Sequence, residues 1–120
     1  MAKTETNEGW LKLYRKTPDT AIWATKDPYD RRSAWIDLLL SANYTAAELV
    51  IKNDVLHIQR GQLFTSVRHL SARWSWSKDR VLSFLRQLDR LEMINRDSTH
   101  SGTLITIVNY DKYQGTPDTK

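Results

Sequence analysis

The spacing of apolar residues changes several times along the chain, and each change marks an element. Between Asp30 and Asn43, Ala34, Trp35, Leu38, Leu39 and Ala42 recur at steps of three and four. That is the period of a helix burying one face, with Arg31, Arg32 and Asp37 mostly on the other side. The pattern then turns β-rich. Glu48 to Lys52 and Val55 to Gln59 flank Asn53-Asp54, residue types that tolerate the left-handed backbone of a two-residue turn. Gly61 turns the chain again before a brief strand at Leu63-Phe64. Ser66 stands where a cap belongs, opening a short helix with Val67, Leu70 and Trp74 inward. Ser75-Trp76 breaks it, and Ser77 caps the most regular helix, Lys78 to about Leu91. On that helix Val81, Phe84, Leu85, Leu88 and Leu91 gather within about 120 degrees at 100 degrees per residue. Ile94 to Arg96 reads as a strand, Asp97 to Gly102 as a polar turn and Thr103 to Asn109 as a second strand.

The N-terminal part is less regular. Trp10-Leu11-Lys12-Leu13-Tyr14 alternates apolar and polar, as a short strand or an extended lead-in. Thr17-Pro18 suits the cap and first position of a short helix, Asp19 to Thr25, ending before Pro28. Residues 1 to 8 read as a disordered tail, 9 to 114 as one domain, and 115 to 120 as a tail or cut linker.

From Leu63 to Asn109 the order is strand, short helix, tight turn, long helix, strand, turn, strand. This is an α+β winged helix-turn-helix, extended by an N-terminal helical part and a β-hairpin. In that arrangement the second helix normally enters a DNA major groove, and the hairpin 94–109 is the wing.

Charge sharpens this picture. The net charge is +4, and all of it lies between residues 60 and 100. Arg60, Arg68, Arg73, Lys78, Arg80, Arg86, Arg90 and Arg96 stand there against Asp79, Asp89, Glu92 and Asp97. A localised, Arg-rich excess points to a polyanion. On the long helix Asp79, Ser83, Arg86 and Arg90 lie opposite the apolar stripe, with Gln87 and Leu82 on its flanks. Arg86 and Arg90 repel each other at i,i+4, and Asp89 is placed to relieve Arg86 from i+3. An anion in front of the pair would favour the arrangement. A solvated face with an internal ion pair is the competing reading. The helix N-terminus at Ser77, with Lys78 and Arg80 beside it, suits a phosphate. Arg96 and His100 on the wing are candidates for contact with phosphates or a minor groove, and Arg68 and Arg73, flanking the first helix of the motif, for backbone contact.

Other chemistry has little support. The chain lacks cysteine, which removes disulfides, Cys-based zinc sites and thiol nucleophiles. Its four glycines form no phosphate-binding loop, and its three histidines suggest neither a metal site nor a triad. No catalytic residue, cofactor or metal is expected. Of the five tryptophans, Trp35 and Trp74 read as core. Trp76 reads as a prop for the long helix in preference to a base-stacking platform. Trp10, Trp23, Tyr14 and Tyr29 suit core packing and an intersubunit surface equally. The polar start lacks the apolar stretch of a signal peptide, and Leu38-Leu39-Leu40 is too short to span a bilayer. A cytoplasmic protein without membrane contact is expected.

A family resemblance supports the same reading. Its residues are Arg60-Gly61-Gln62-Leu63-Phe64-Thr65-Ser66, then Leu70 through Trp76-Ser77, then Val81, Phe84-Leu85, Leu88 and Met93-Ile94. The run Gly102-Thr103-Leu104-Ile105-Thr106-Ile107-Val108-Asn109-Tyr110-Asp111-Lys112-Tyr113-Gln114 completes it. Together they resemble the N-terminal winged-helix domain of phage DnaD-like replisome organisers and replication initiators, across roughly residues 9 to 114. The opening Trp10 to Lys16 and the Trp35 to Leu40 helix fit the same pattern. The Arg-Gly-Gln turn and the closing run are the specific parts, whereas the middle is common to winged helices. The resemblance implies double-stranded DNA binding at an origin or fork, self-association and handover to helicase-loading proteins, without enzyme activity. Ser75 stands where the family often has Gly, and Leu91-Glu92 where a polar residue and Gly usually close the helix. Such proteins usually continue into a second domain, so the chain reads as a cut domain or a short relative. A winged-helix transcriptional regulator and a protein-interaction module with Leu82 covered by a partner are the alternatives.

Overall fold

The computed structural model describes residues 11–99 and 101–114. Three serine and aspartate caps start the main helices. Asp30 Oδ1 accepts from Ser33 N at 2.8 Å and from its hydroxyl at 2.9 Å, opening α1 (Arg31–Ser41). Those bonds hold the Asp30 carboxyl below its ordinary pKa. Ser66 accepts from His69 N at the head of α2 (Val67–Trp74), and Ser77 from Arg80 N at the head of α3 (Lys78–Arg90). Each such cap satisfies an N–H that the helix leaves open.

Five strands form two antiparallel sheets. The hairpin β1 (Ala47–Ile51) and β2 (Asp54–Ile58) stands by itself. β3 (Gln62–Thr65), β4 (Ile94–Thr99) and β5 (Gly102–Ile107) make a sheet in the order β3-β5-β4. The chain closes with the short helix α4 (Tyr110–Gln114). This is the winged helix-turn-helix expected from the sequence. α1, α2 and α3 pack over the three-stranded sheet, and the β4-β5 hairpin forms the wing.

The core joins these layers. Leu38 from α1, Leu70 and Trp74 from α2, and Val81, Phe84, Leu85 and Leu88 from α3 meet Leu63, Ile94, Ile105 and Ile107 of the sheet. Trp74, Trp76 and Phe84 pack edge to face, with centroids 5.0 to 5.8 Å apart. The turn between α2 and α3 is tight because Ser75 adopts the left-handed conformation at φ 59°, letting Trp76 N reach Ser71 O at 3.1 Å. Gly61 sits at φ +83°, and a side-chain carbon there would lie 3.0 Å from Tyr110 Cβ. Glycine is required on both counts.

Several expectations need correction. The Asp19–Thr25 helix is absent; Thr17–Asp19 makes one turn of 3-10 helix and Thr17 caps nothing. Thr20 leaves the turn in an extended conformation, and the chain continues in a further turn in which Trp23 N and Ala24 N both donate to Thr20 O. Residues 11 to 14 form no strand, and Trp10 lies outside the described residues. The β1-β2 turn is Lys52-Asn53, not Asn53-Asp54. Cross-strand pairing of Val50 with Val55 and Leu49 with Leu56 sets that register, and Lys52 takes the left-handed φ of 56°. The wing is longer than expected, since pairing continues through Asp97, Ser98 and Thr99 to Gly102. Leu91 is 67% exposed. α3 ends before it, and Glu92 at φ 59° turns the chain so that Met93 packs on the core instead. Asp37, assigned to the outer side of α1, is 1% exposed. It faces α2, where Arg73 and Trp74 satisfy it. α4 was not expected as a helix. The described residues include no helix long and apolar enough to cross a membrane. The two tails, 1 to 8 and 115 to 120, lie outside the described residues.

Candidate nucleic-acid interface

α3 presents its outward face because the opposite face is fully used by the core. Val81, Phe84, Leu85 and Leu88 are buried, so Asp79, Ser83, Arg86, Gln87 and Arg90 are left exposed. Measured from Val81, Arg86 and Arg90 sit at about 140 and 180 degrees, the middle of the open face. At its N-terminus Ser77, Lys78 and Arg80 are also exposed. The Arg80 guanidinium lies over the Trp76 ring at 4.1 Å from the centroid, which holds that charge beside the first turn. The Trp76 ring itself is 4% exposed and its Nε1 donates to Tyr29 O at 2.7 Å. It props α3 and offers no stacking platform.

The eight cations of the basic window divide into two groups. Arg60 Nε binds Asp111 at 2.9 Å, and its guanidinium also donates to Tyr44 O and lies over the Tyr44 and Tyr110 rings. Arg73 grips Asp37 through Nε at 2.6 Å and Nη2 at 2.8 Å, and this bidentate bond raises its pKa. Arg96 Nε donates to Asp89 at 2.6 Å. These three are committed to carboxylates. The other five, Arg68, Lys78, Arg80, Arg86 and Arg90, have no ion-pair partner among the described residues. All five lie on α2 or α3.

Three expected roles change accordingly. Arg73, a candidate for backbone contact, instead ties α2 to the buried carboxylate of α1. Asp89 does not relieve Arg86, because it is taken by Arg96. Arg96 in turn is drawn inward: along β4 it shares a face with Ile94, and both oppose buried residues of β5, Ile105 and Ile107. The period of two made this legible, since a charged side chain on the Ile94 face needs a partner inside. Arg68 is exposed on α2 as expected. His100 lies outside the described residues. Leu82, expected to be exposed, is half-buried on the flank of α3.

A groove of about 310 Å³ runs between the β1-β2 hairpin and α2, lined by Leu49, Thr65, His69 and Arg73 among others. No group of three or more His, Asp or Glu among the described residues is placed to hold a metal ion. The site therefore offers positive charge, hydroxyls and an amide on a protruding helix. Comparison with protein-family models, curated proteins and solved structures finds no match to this chain.

Proposed function

We propose that the domain binds double-stranded DNA without catalysis, with α3 in the major groove and the β4-β5 wing against the flanking backbone. One observation carries this reading: within the basic window, the five cations without an ion-pair partner among the described residues all lie on α2 or α3, while Arg60, Arg73 and Arg96 are neutralised locally. α3 has 13 residues, about 20 Å of helix, and a major groove about 12 Å wide admits it. Arg86, Gln87 and Ser83 supply the side-chain types that read base edges, while Ser77, Lys78 and Arg80 suit a phosphate. The resemblance to phage DnaD-like proteins supports a place in phage-type replication initiation, with self-association and helicase-loading proteins as partners, in the cytoplasm. A transcriptional regulator would use the same face, and the recovered site, origin or promoter, separates the two.

A protein-interaction surface is favoured by one specific feature. Val50 and Val55 pair across the outer face of the hairpin at 67% and 54% exposure. The discriminating experiment is a titration of a duplex library by fluorescence anisotropy. Arg86→Ala is expected to cost about 1–3 kcal/mol on the selected site and less on random duplex if Arg86 reads a base. Equal losses on both make it a phosphate contact. Tight self-association with no duplex signal at low salt favours the interaction module.

A further inference from the structure

Asp89 lies one turn beyond Arg86 on α3, at the i+3 spacing where a carboxylate and a guanidinium readily meet. They do not meet here. Asp89 Oδ2 accepts instead from Arg96 Nε, 2.6 Å away on β4. Both partners are mostly shielded, with side chains 33% and 23% exposed. Left alone, the Asp89 carboxylate would sit about 60 degrees around the helix from Arg86, facing the same groove floor. There it would cancel Arg86 and repel phosphate. The wing therefore supplies Asp89's countercharge in place of Arg86.

We propose that Arg96 is a positioning residue: it holds Asp89 away from Arg86 and the wing against α3, which keeps Arg86 and Arg90 open to DNA. This rests on duplex binding through α3. It departs from direct contact by Arg96, because its guanidinium is tied through Nε to Asp89 and its side chain is only 23% exposed.

The test compares wild type, Arg96→Gln, and Arg96→Gln combined with Asp89→Asn or with Asp97→Asn, on one duplex across a salt series. Losing one effective phosphate contact makes the slope of log K against log[salt] shallower by about 0.9, which is roughly tenfold in affinity at 0.1 M salt. Arg96→Gln should show that loss. Adding Asp89→Asn should restore affinity to within about threefold of wild type, because no carboxylate remains to occupy Arg86. Adding Asp97→Asn, which gives the same net charge, should not. If the Asp89→Asn double variant stays as weak as Arg96→Gln, Arg96 touches DNA itself and the role is overturned. It is overturned also if Asp97→Asn restores binding equally, since net charge alone then accounts for the effect. Should Arg96→Gln fail to fold, the exchange Asp89→Arg with Arg96→Asp rebuilds the pair in reverse. Near wild-type affinity there supports positioning, and a tenfold loss overturns it. A wild-type chain that ignores duplex DNA overturns the DNA reading and this role with it. A wild type that binds while Arg96→Gln binds equally well overturns this role alone.

Discussion

Asp37→Ala is expected to destabilise the domain by about 3 kcal/mol. The carboxylate is 1% exposed and accepts three hydrogen bonds: from Arg73 Nε at 2.6 Å, Arg73 Nη2 at 2.8 Å and Trp74 Nε1 at 2.8 Å. These losses are unequal. The Arg73 side chain is 36% exposed, so its guanidinium turns to water and the lost pair is discounted to about 1 kcal/mol. The Trp74 ring is fully buried, and an indole N–H left there without an acceptor costs a further 1–3 kcal/mol or so. In urea, with a slope near 1.5 kcal/mol per M, the midpoint should fall by roughly 2 M. Asp37→Asn keeps one oxygen for Trp74 and should lose about half as much. Far-UV circular dichroism and tryptophan fluorescence, followed together, give both midpoints. A fall below about 0.5 M for Asp37→Ala would refute the claim that this carboxylate locks α1 to α2.

The reach of the sequence follows the range of the interaction. The caps Asp30, Ser66 and Ser77 act within three residues, so their serines and aspartate announce α1, α2 and α3 directly. The stripe from Val81 to Leu88 is equally local, and with the strands around it the winged fold was legible. What escaped depends on partners far along the chain. Asp37 looks like a solvent-side residue until α2 brings Arg73 over it, 36 residues later. Arg60 counts toward the basic window, yet its partner Asp111 stands 51 residues away. Asp89 chooses between Arg86 and Arg96 by where β4 lies, and no helical periodicity encodes that choice. The candidate face survives on α3 for the same local reason that α3 was legible, while Arg73 and Arg96 left it for long-range reasons.

Gly61→Ala should lower stability by at least about 1 kcal/mol, read as a lower thermal midpoint, because alanine is strained at φ +83° and meets Tyr110 at 3.0 Å. An unchanged midpoint would show that this turn tolerates a side chain. The Asp30 carboxyl is held below its ordinary value by its bonds to Ser33. Its contribution is therefore present above about pH 4 and lost as pH falls through its folded-state pKa. Asp30→Asn should flatten the acid limb of the stability profile, and an identical limb would remove Asp30 from the cap's pH dependence.

The central claim is that five unpaired cations on α2 and α3 meet the phosphates of a duplex. The most direct test is the equilibrium binding constant for duplex DNA measured across a series of salt concentrations. With four to five phosphates neutralised, log K should fall against log[salt] with a slope of roughly −4. Lys78→Ala should make that slope shallower by about one, and Lys112→Ala, on α4 outside the helix-turn-helix, should leave it unchanged. Binding that is indifferent to salt, or no binding to duplex DNA at low salt, would contradict the account.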